Sequence, residues 1–163
     1  MMKKCKRILG VILTVCMILG MCMTTYASEN PPDLGKIVDG SILTDEDSSE
    51  IEIYNPARGN ILNRGVARIS NNGNGSVNAY GAVMAAVQCD TLKLVMNVQR
   101  LEGNSWSTVK TYSDTVSNSG LLTKSYNCSV KGGYYYRVMA ACIATKGGVT
   151  ETQLPNTSGI WID

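Results

Sequence analysis

The sequence predicts an all-β protein: an antiparallel β-sandwich of about seven strands, preceded by a cleaved signal helix and a flexible leader. Three observations predict this class. After residue 59, short alternating segments are separated by turns rich in Gly, Asn and Ser. That region has no stretch with the spacing and length of an amphipathic helix. The first 27 residues, in contrast, have the pattern of a secretory signal.

Residues 1–27 combine a basic start (Lys3 to Arg7), an uncharged apolar run over 8–23 and a small-residue end at Ala27. We expect cleavage after Ala27 and a secreted or cell-surface-associated product. The apolar run is shorter than the roughly 20 residues of a membrane span, so no stable membrane anchor is expected after removal. Retention of the segment as an anchor stays open as an alternative. Lipid attachment at Cys22 is disfavoured because a methionine precedes it.

Residues 28–58 are interpreted as an acidic flexible leader. They carry three prolines and the polar run 44–50, and among residues 28–55 eight carboxylates face a single base, Lys36. Short edge pieces at 37–43 and 51–54 are the parts able to lie against the domain. The predicted boundaries are therefore 1–27 for the signal, 28–58 for the leader and 59–163 for the β-sandwich domain.

Within 59–163, strands are predicted from period-two alternation and from turn residues between them. In the third strand, Leu92, Leu94, Met96 and Val98 share one face, which we expect in the core. The seven predicted strands are 64–70, 77–85, 92–101, 106–114, 121–129, 134–143 and 160–162.

The domain is mildly basic, with ten Lys or Arg and five Asp or Glu from residue 56 onward. These bases are scattered along the chain and form no run, which argues against nucleic-acid binding. A basic face for an anionic cell-wall polymer is one interpretation of the charge asymmetry. A solvated acidic spacer beside a mildly basic domain explains it without any partner and is favoured.

The chain contains no histidine. This excludes Ser–His–Asp and Cys–His nucleophile activation and removes the commonest zinc ligand, so no catalytic residue, metal or cofactor is predicted. A small hydrolase using paired carboxylates remains an alternative. Its acids would come from the five carboxylates of the domain: Asp90, Glu102, Asp114, Glu151 and Asp163.

Three cysteines follow the signal: Cys89, Cys128 and Cys142. In a sandwich, the strands ending near Cys89 and Cys142 exit at the same end, which predicts a Cys89–Cys142 disulfide. Other pairings, or three buried thiols, are the alternatives.

Aromatic side chains are the remaining candidates for a site. Trp106, Tyr112 and Tyr135 would form a platform for a sugar or a peptide, although a structural role is favoured for each ring taken singly. Loops at one end of the sandwich, around Asp90 and Gly147, are the other candidate surface.

Four segments carry a resemblance to a known group: 133–138, 98–106, 159–162 and 39–47. Together they resemble short secreted proteins of unknown function from Gram-positive anaerobic bacteria. The spacing of Val130, Tyr136, Val138 and Ala140 is also similar to the later strands of fibronectin type III and immunoglobulin-like domains. The resemblance implies a common fold and export, and it transfers no site.

Taken together, the sequence favours a secreted or surface-associated, non-catalytic binding or accessory module. Its expected partner is a cell-wall glycan or an extracellular protein. A purely structural envelope protein without a ligand site is the second interpretation, and the paired-carboxylate hydrolase is the third.

Overall fold

The computed structural model describes residues 30–54 and 61–163. The predicted signal helix therefore lies outside the described residues. Within these ranges no helix is long and apolar enough to cross a membrane. The described chain forms nine strands: β1 Ile37–Val38, β2 Ser41–Thr44, β3 Ser48–Tyr54, β4 Leu62–Gly73, β5 Ser76–Glu102, β6 Ser105–Ser129, β7 Tyr134–Lys146, β8 Val149–Gln153 and β9 Gly159–Ile162.

The strands form one curled, mixed sheet in the order β1-β2-β9-β7-β5-β4-β3, with β6 paired to β5 and β8 paired to β7. All pairs are antiparallel except β2 with β9, which is parallel. The all-β prediction is confirmed, but the arrangement differs from seven separate antiparallel strands. Predicted strands 77–85 and 92–101 are two halves of β5, and 106–114 and 121–129 are two halves of β6.

A bend at residues 85–88 explains why the two halves looked like separate strands. Met84 pairs with Leu121 and Cys89 pairs with Ser119, so four residues of β5 lie opposite one residue of β6. Such extra residues bend a strand and increase its twist. The first half of β5 consequently pairs with β4, while the second half pairs with β7.

The curled sheet encloses a main core. Leu92, Leu94, Met96 and Val98 are fully buried there, as the alternation predicted. Gly81 lies where the two halves of the sheet approach closely, since a Cβ at this position would be 2.8 Å from Sδ of Met96.

Residues 37–54 belong to the segment predicted as a leader with edge pieces at 37–43 and 51–54, and they form β1, β2 and β3. The turn between β1 and β2 is Asp39-Gly40, with φ values of 48° and 76°. Positive φ at both central residues is the geometry of a tight two-residue hairpin. We call residues 37–44 the N-terminal hairpin. It buries Val38 and Leu43 against the domain, which makes it part of the folded unit.

The predicted Cys89–Cys142 disulfide is not formed: all three cysteines of the described chain are free and buried. Cys142 pairs with Leu94, five positions along β5 from Cys89. Five extended residues span about 16 Å, whereas bridged Cα atoms lie within about 7 Å. Sγ of Cys142 instead donates a hydrogen bond to the carbonyl oxygen of Ala82 (3.3 Å). Burial raises the pKa of the Cys142 thiol to about 12.

Candidate functional site

A second apolar cluster lies on the opposite face of β7 from the main core. Tyr135 and Tyr136 are adjacent in β7, so their side chains point to opposite faces. Tyr136 belongs to the main core and Tyr135 to the second cluster. We call this second group the outer cluster; its members are Val38, Leu43, Leu101, Tyr135 and the partly buried Trp106 and Trp161.

Arg137 joins the N-terminal hairpin to this outer face. Its side chain is 2% exposed, and its guanidinium donates hydrogen bonds to Oε1 of Gln99 (2.8 Å) and Oγ of Ser41 (2.8 Å). It also donates to the carbonyl oxygen (3.0 Å) and to Oδ2 (2.8 Å) of Asp39. The Cζ atom lies 4.5 Å from the centroid of a Trp106 ring. A buried guanidinium with this many partners fixes the position of the hairpin.

Two depressions meet at Trp161. The first, which we call the aromatic groove, has a volume of about 230 Å³ and is lined chiefly by Pro32, Asp33, Leu101, Tyr134, Tyr135 and Trp161. The second, the acidic cleft, has a volume of about 260 Å³ and is lined chiefly by Asn30, Asp45, Asp47, Asn71, Trp161 and Asp163.

The Trp161 indole is held in one orientation by its neighbours. Its Nε1 donates a hydrogen bond to Oδ1 of Asp163 (2.7 Å). The ring makes an edge contact with Tyr135, with centroids 5.0 Å apart and planes at 68°. Register explains this contact, because β9 pairs with β7 so that Trp161 lies opposite Tyr135. The indole N–H is therefore occupied, and a face of the half-buried ring is the part that can contact a ligand.

The Tyr135 hydroxyl is an unusual feature of the groove. The residue is 3% exposed, and its oxygen has no hydrogen-bond partner among the described residues. A buried hydroxyl without a hydrogen-bond partner lowers the free energy of unfolding, so its presence needs a structural or functional reason. Burial raises the pKa of Tyr135, and the negative charges of Asp33 and Asp45 raise it further. The hydroxyl thus stays protonated near one carboxylate of the groove and one of the cleft.

The structure separates the three aromatic residues proposed from the sequence. Tyr135 lines the aromatic groove. Trp106 lies in the outer cluster, but its Nε1 donates to the carbonyl oxygen of Val38 (3.1 Å). Tyr112 packs against the main core and stacks on Tyr126, with centroids 4.3 Å apart. The three rings do not form one platform. Sequence reasoning missed Trp161, whose relation to Tyr135 depends on the pairing of β9 with β7.

The carboxylates considered for a hydrolase all have structural partners. Glu102 accepts hydrogen bonds from Arg100 and Ser107, which lower its pKa, the opposite of what a general acid requires. The other four accept hydrogen bonds as follows: Asp90 from the Gly147 amide (2.8 Å), Glu151 from the Leu62 amide (2.8 Å), Asp114 from the Tyr126 hydroxyl (2.9 Å) and Asp163 from Trp161. Asp90 and Gly147, the loop candidates, are therefore adjacent.

A metal site is not formed by the part of the chain that the structure describes, since it contains no group of three or more Cys, Asp or Glu side chains placed to hold an ion. The acids of the acidic cleft are included in that statement. They line the cleft without converging on one point.

Residues 37–160 match the model of a family of unknown function, DUF6147. The chain belongs to this family. The match extends from β1 into β9, and so includes the N-terminal hairpin together with the main core. No curated protein and no solved structure matches the chain. Because the function of DUF6147 is unknown, membership in it assigns no activity to this chain.

Proposed function

We propose that this protein is an exported, non-catalytic binding module that holds a glycan of the cell surface against Trp161. The observation that carries the proposal is the fixed indole ring at the junction of the aromatic groove and the acidic cleft. The apolar face of a sugar ring packs well on an aromatic face, and its hydroxyl groups need polar partners around the rim.

The surroundings of Trp161 meet both needs. Tyr134, Tyr135 and Leu101 supply apolar area on one side, while carboxylate and amide groups line the other. The volumes of the two depressions, about 230 and 260 Å³, each lie just below the range of about 300–1,000 Å³ that is typical of sites for drug-sized molecules.

Export and the lack of catalysis rest on the sequence. The signal pattern of residues 1–27 supports an address outside the cytoplasm, where surface glycans are found. The absence of histidine from the chain removes the common nucleophile-activating base. Both features fit a protein that binds a polymer without cleaving it.

A pull-down tests the proposal directly. Purified residues 28–163 are mixed with insoluble peptidoglycan and with a set of insoluble polysaccharides. We expect retention on at least one of them, and a loss of about tenfold or more in Trp161→Ala, because the stacking face is removed. The matched control is Tyr54→Ala, since Tyr54 is an exposed ring on β3 that lines neither depression.

Two outcomes would contradict the proposal. One is the absence of retention on every glycan by a protein whose circular dichroism shows a folded sheet. The other is equal retention of the wild type and the Trp161→Ala variant.

A further inference from the structure

The acidic cleft is lined by carboxylates and amides, and no lysine or arginine is among its described lining residues. Three carboxylates line it, from Asp45, Asp47 and Asp163. Across the described ranges, none of the three forms an ion pair with a lysine or arginine. The backbone amide of Asn71, in β4, donates a hydrogen bond to the carbonyl oxygen of Asp47 (2.7 Å), which lies between β2 and β3. This bond holds β4 against the segment between β2 and β3 at the cleft.

The arrangement of these carboxylates determines which kind of cation the acidic cleft can hold. Calcium takes six to eight oxygen ligands at about 2.3–2.6 Å, which needs carboxylates that converge. In the described chain the acids do not form such a group, and they line a volume of about 260 Å³. A cation larger than a metal ion, with donors pointing in several directions, matches this arrangement. An ammonium group on an organic molecule carries three such donors.

Trp161 adds an independent preference for the same chemistry. Its ring borders the cleft and its N–H is already bonded to Asp163. The remaining ring face attracts cations through its quadrupole, and tryptophan does so most strongly among the aromatic residues. A sugar stacked on this face would place a ring substituent over the cleft.

The Tyr135 hydroxyl is a second observation that indicates a ligand, and this observation is independent of the carboxylates. It is buried, it lacks a partner among the described residues, and its residue lines the groove that adjoins the cleft across Trp161. Because this oxygen is shielded from solvent, a ligand bearing hydroxyl groups would supply the missing hydrogen bond only when its binding shifts the side chains around Tyr135.

We infer that the glycan recognised at Trp161 carries free amino groups, with the ammonium of a hexosamine unit in the acidic cleft and its ring on the indole. This inference rests on the proposed function. It differs from the anionic polymer that the excess of bases after residue 56 would favour, because residues 37–54 add their acids to the folded unit. Local charge at the site decides which ligand is held, while overall charge acts at longer range and is screened by salt.

The experiment compares two soluble oligosaccharides of equal length, one of glucosamine and one of N-acetylglucosamine, titrated into residues 28–163 at mildly acidic pH. Trp161 and Trp106 are the two tryptophans of the chain, so intrinsic fluorescence reports binding. We expect the amine form to bind about tenfold more tightly at low salt, and the preference to shrink in high salt as the charges are screened.

The double variant Asp45→Asn, Asp47→Asn should reduce the preference to less than about twofold while binding of the acetylated form persists, because only the charge is removed. Asp90→Asn is the matched control. Asp90 is an acid that bonds the Gly147 amide and lines neither depression, so its variant should keep the preference.

The outcomes of these experiments separate the ammonium inference from the proposed glycan binding. Equal binding of both oligosaccharides, or a preference that survives in the Asp45/Asp47 double variant, would overturn the ammonium inference and leave the glycan proposal standing. Failure of both to bind, together with no retention in the pull-down, would overturn the proposed function and the inference with it.

Discussion

The main core and the outer cluster are held together by different physical means. The main core is apolar, and the alternating side chains of β5, from Leu92 to Val98, are fully buried in it. The outer cluster lies beside a buried cation, Arg137, which packs against the Trp106 ring and has hydrogen-bond partners as many as 98 residues away along the chain. Hydrophobic burial folds the sheet, whereas a polar network places the N-terminal hairpin beside the two depressions at Trp161.

The largest effect is expected at Arg137. Arg137→Ala leaves polar groups of Asp39, Ser41 and Gln99 without their partner. The side chain of Asp39 is 75% exposed and water can solvate it, whereas the buried groups of Ser41 and Gln99 each lose a donor at a cost of about 1–3 kcal/mol in the free energy of unfolding. Urea denaturation measures it.

Arg68→Ala is the matched control for this change. Arg68 also pairs with an acid, Glu50, and lies 4.7 Å from the Tyr80 ring centroid. Its side chain is 42% exposed, so we expect a loss of about 1 kcal/mol or less. Equal losses in the two variants would refute the distinction between a buried network and a surface pair.

A glycine substitution tests the main core. Gly81→Ala would place a Cβ 2.8 Å from Sδ of Met96 and 3.0 Å from a methyl carbon of Leu94. Forcing these side chains aside should cost about 1–3 kcal/mol in thermal or urea unfolding. Gly120→Ala is the control, because its nearest atom, the carbonyl oxygen of Val87, is 3.8 Å away. A Gly81→Ala variant as stable as Gly120→Ala would show that the sheet halves are not so closely packed.

The pH dependence of stability probes the same core through Cys142. Burial raises the pKa of its thiol from 9.0 to about 12, so the unfolded chain loses this proton first as the pH rises. The contribution is fully present below about pH 9 and is lost progressively towards pH 12, at about 1.4 kcal/mol per pH unit.

Between pH 9 and 10.5 this group alone should therefore remove about 2 kcal/mol of stability. Tyr135 and Tyr136, whose pKa values burial also raises, act in the same direction. The measurement is accordingly the difference in slope between the wild type and Cys142→Ala, with stability followed by urea denaturation at each pH. Parallel slopes would argue against a deeply buried thiol.

The smallest effect is expected in the turn of the N-terminal hairpin. Gly40 has a φ of 76° and open space around its missing Cβ, so Gly40→Ala meets conformational strain without a clash. A loss of about 1 kcal/mol is expected in thermal unfolding. A neutral result would indicate that the turn is not of the tight hairpin type.

The difference between local sequence patterns and contacts between distant segments explains which parts of the structure the sequence could predict. Alternation within one strand is a local signal, and it predicted the buried face of Leu92 to Val98 correctly. The bend at 85–88 was missed because Gly, Asn and Ser at 117–120 also mark turns between strands. Asp39-Gly40 is a hairpin signal, but the acidity of the surrounding segment indicated a leader. The groove depended on pairing Trp161 with Tyr135, which no local pattern reveals.

Amide hydrogen exchange tests the central claim, that Arg137 docks the N-terminal hairpin on the outer face. The Leu43 amide donates to the carbonyl oxygen of Lys36 (2.8 Å), and the Gly35 amide to that of Leu43 (2.8 Å). We predict that both are protected in the wild type and exchange rapidly in Arg137→Ala, while amides around Val98 stay protected in both proteins. Rapid exchange of the Leu43 amide in the wild type, or undiminished protection in the variant, would contradict the account.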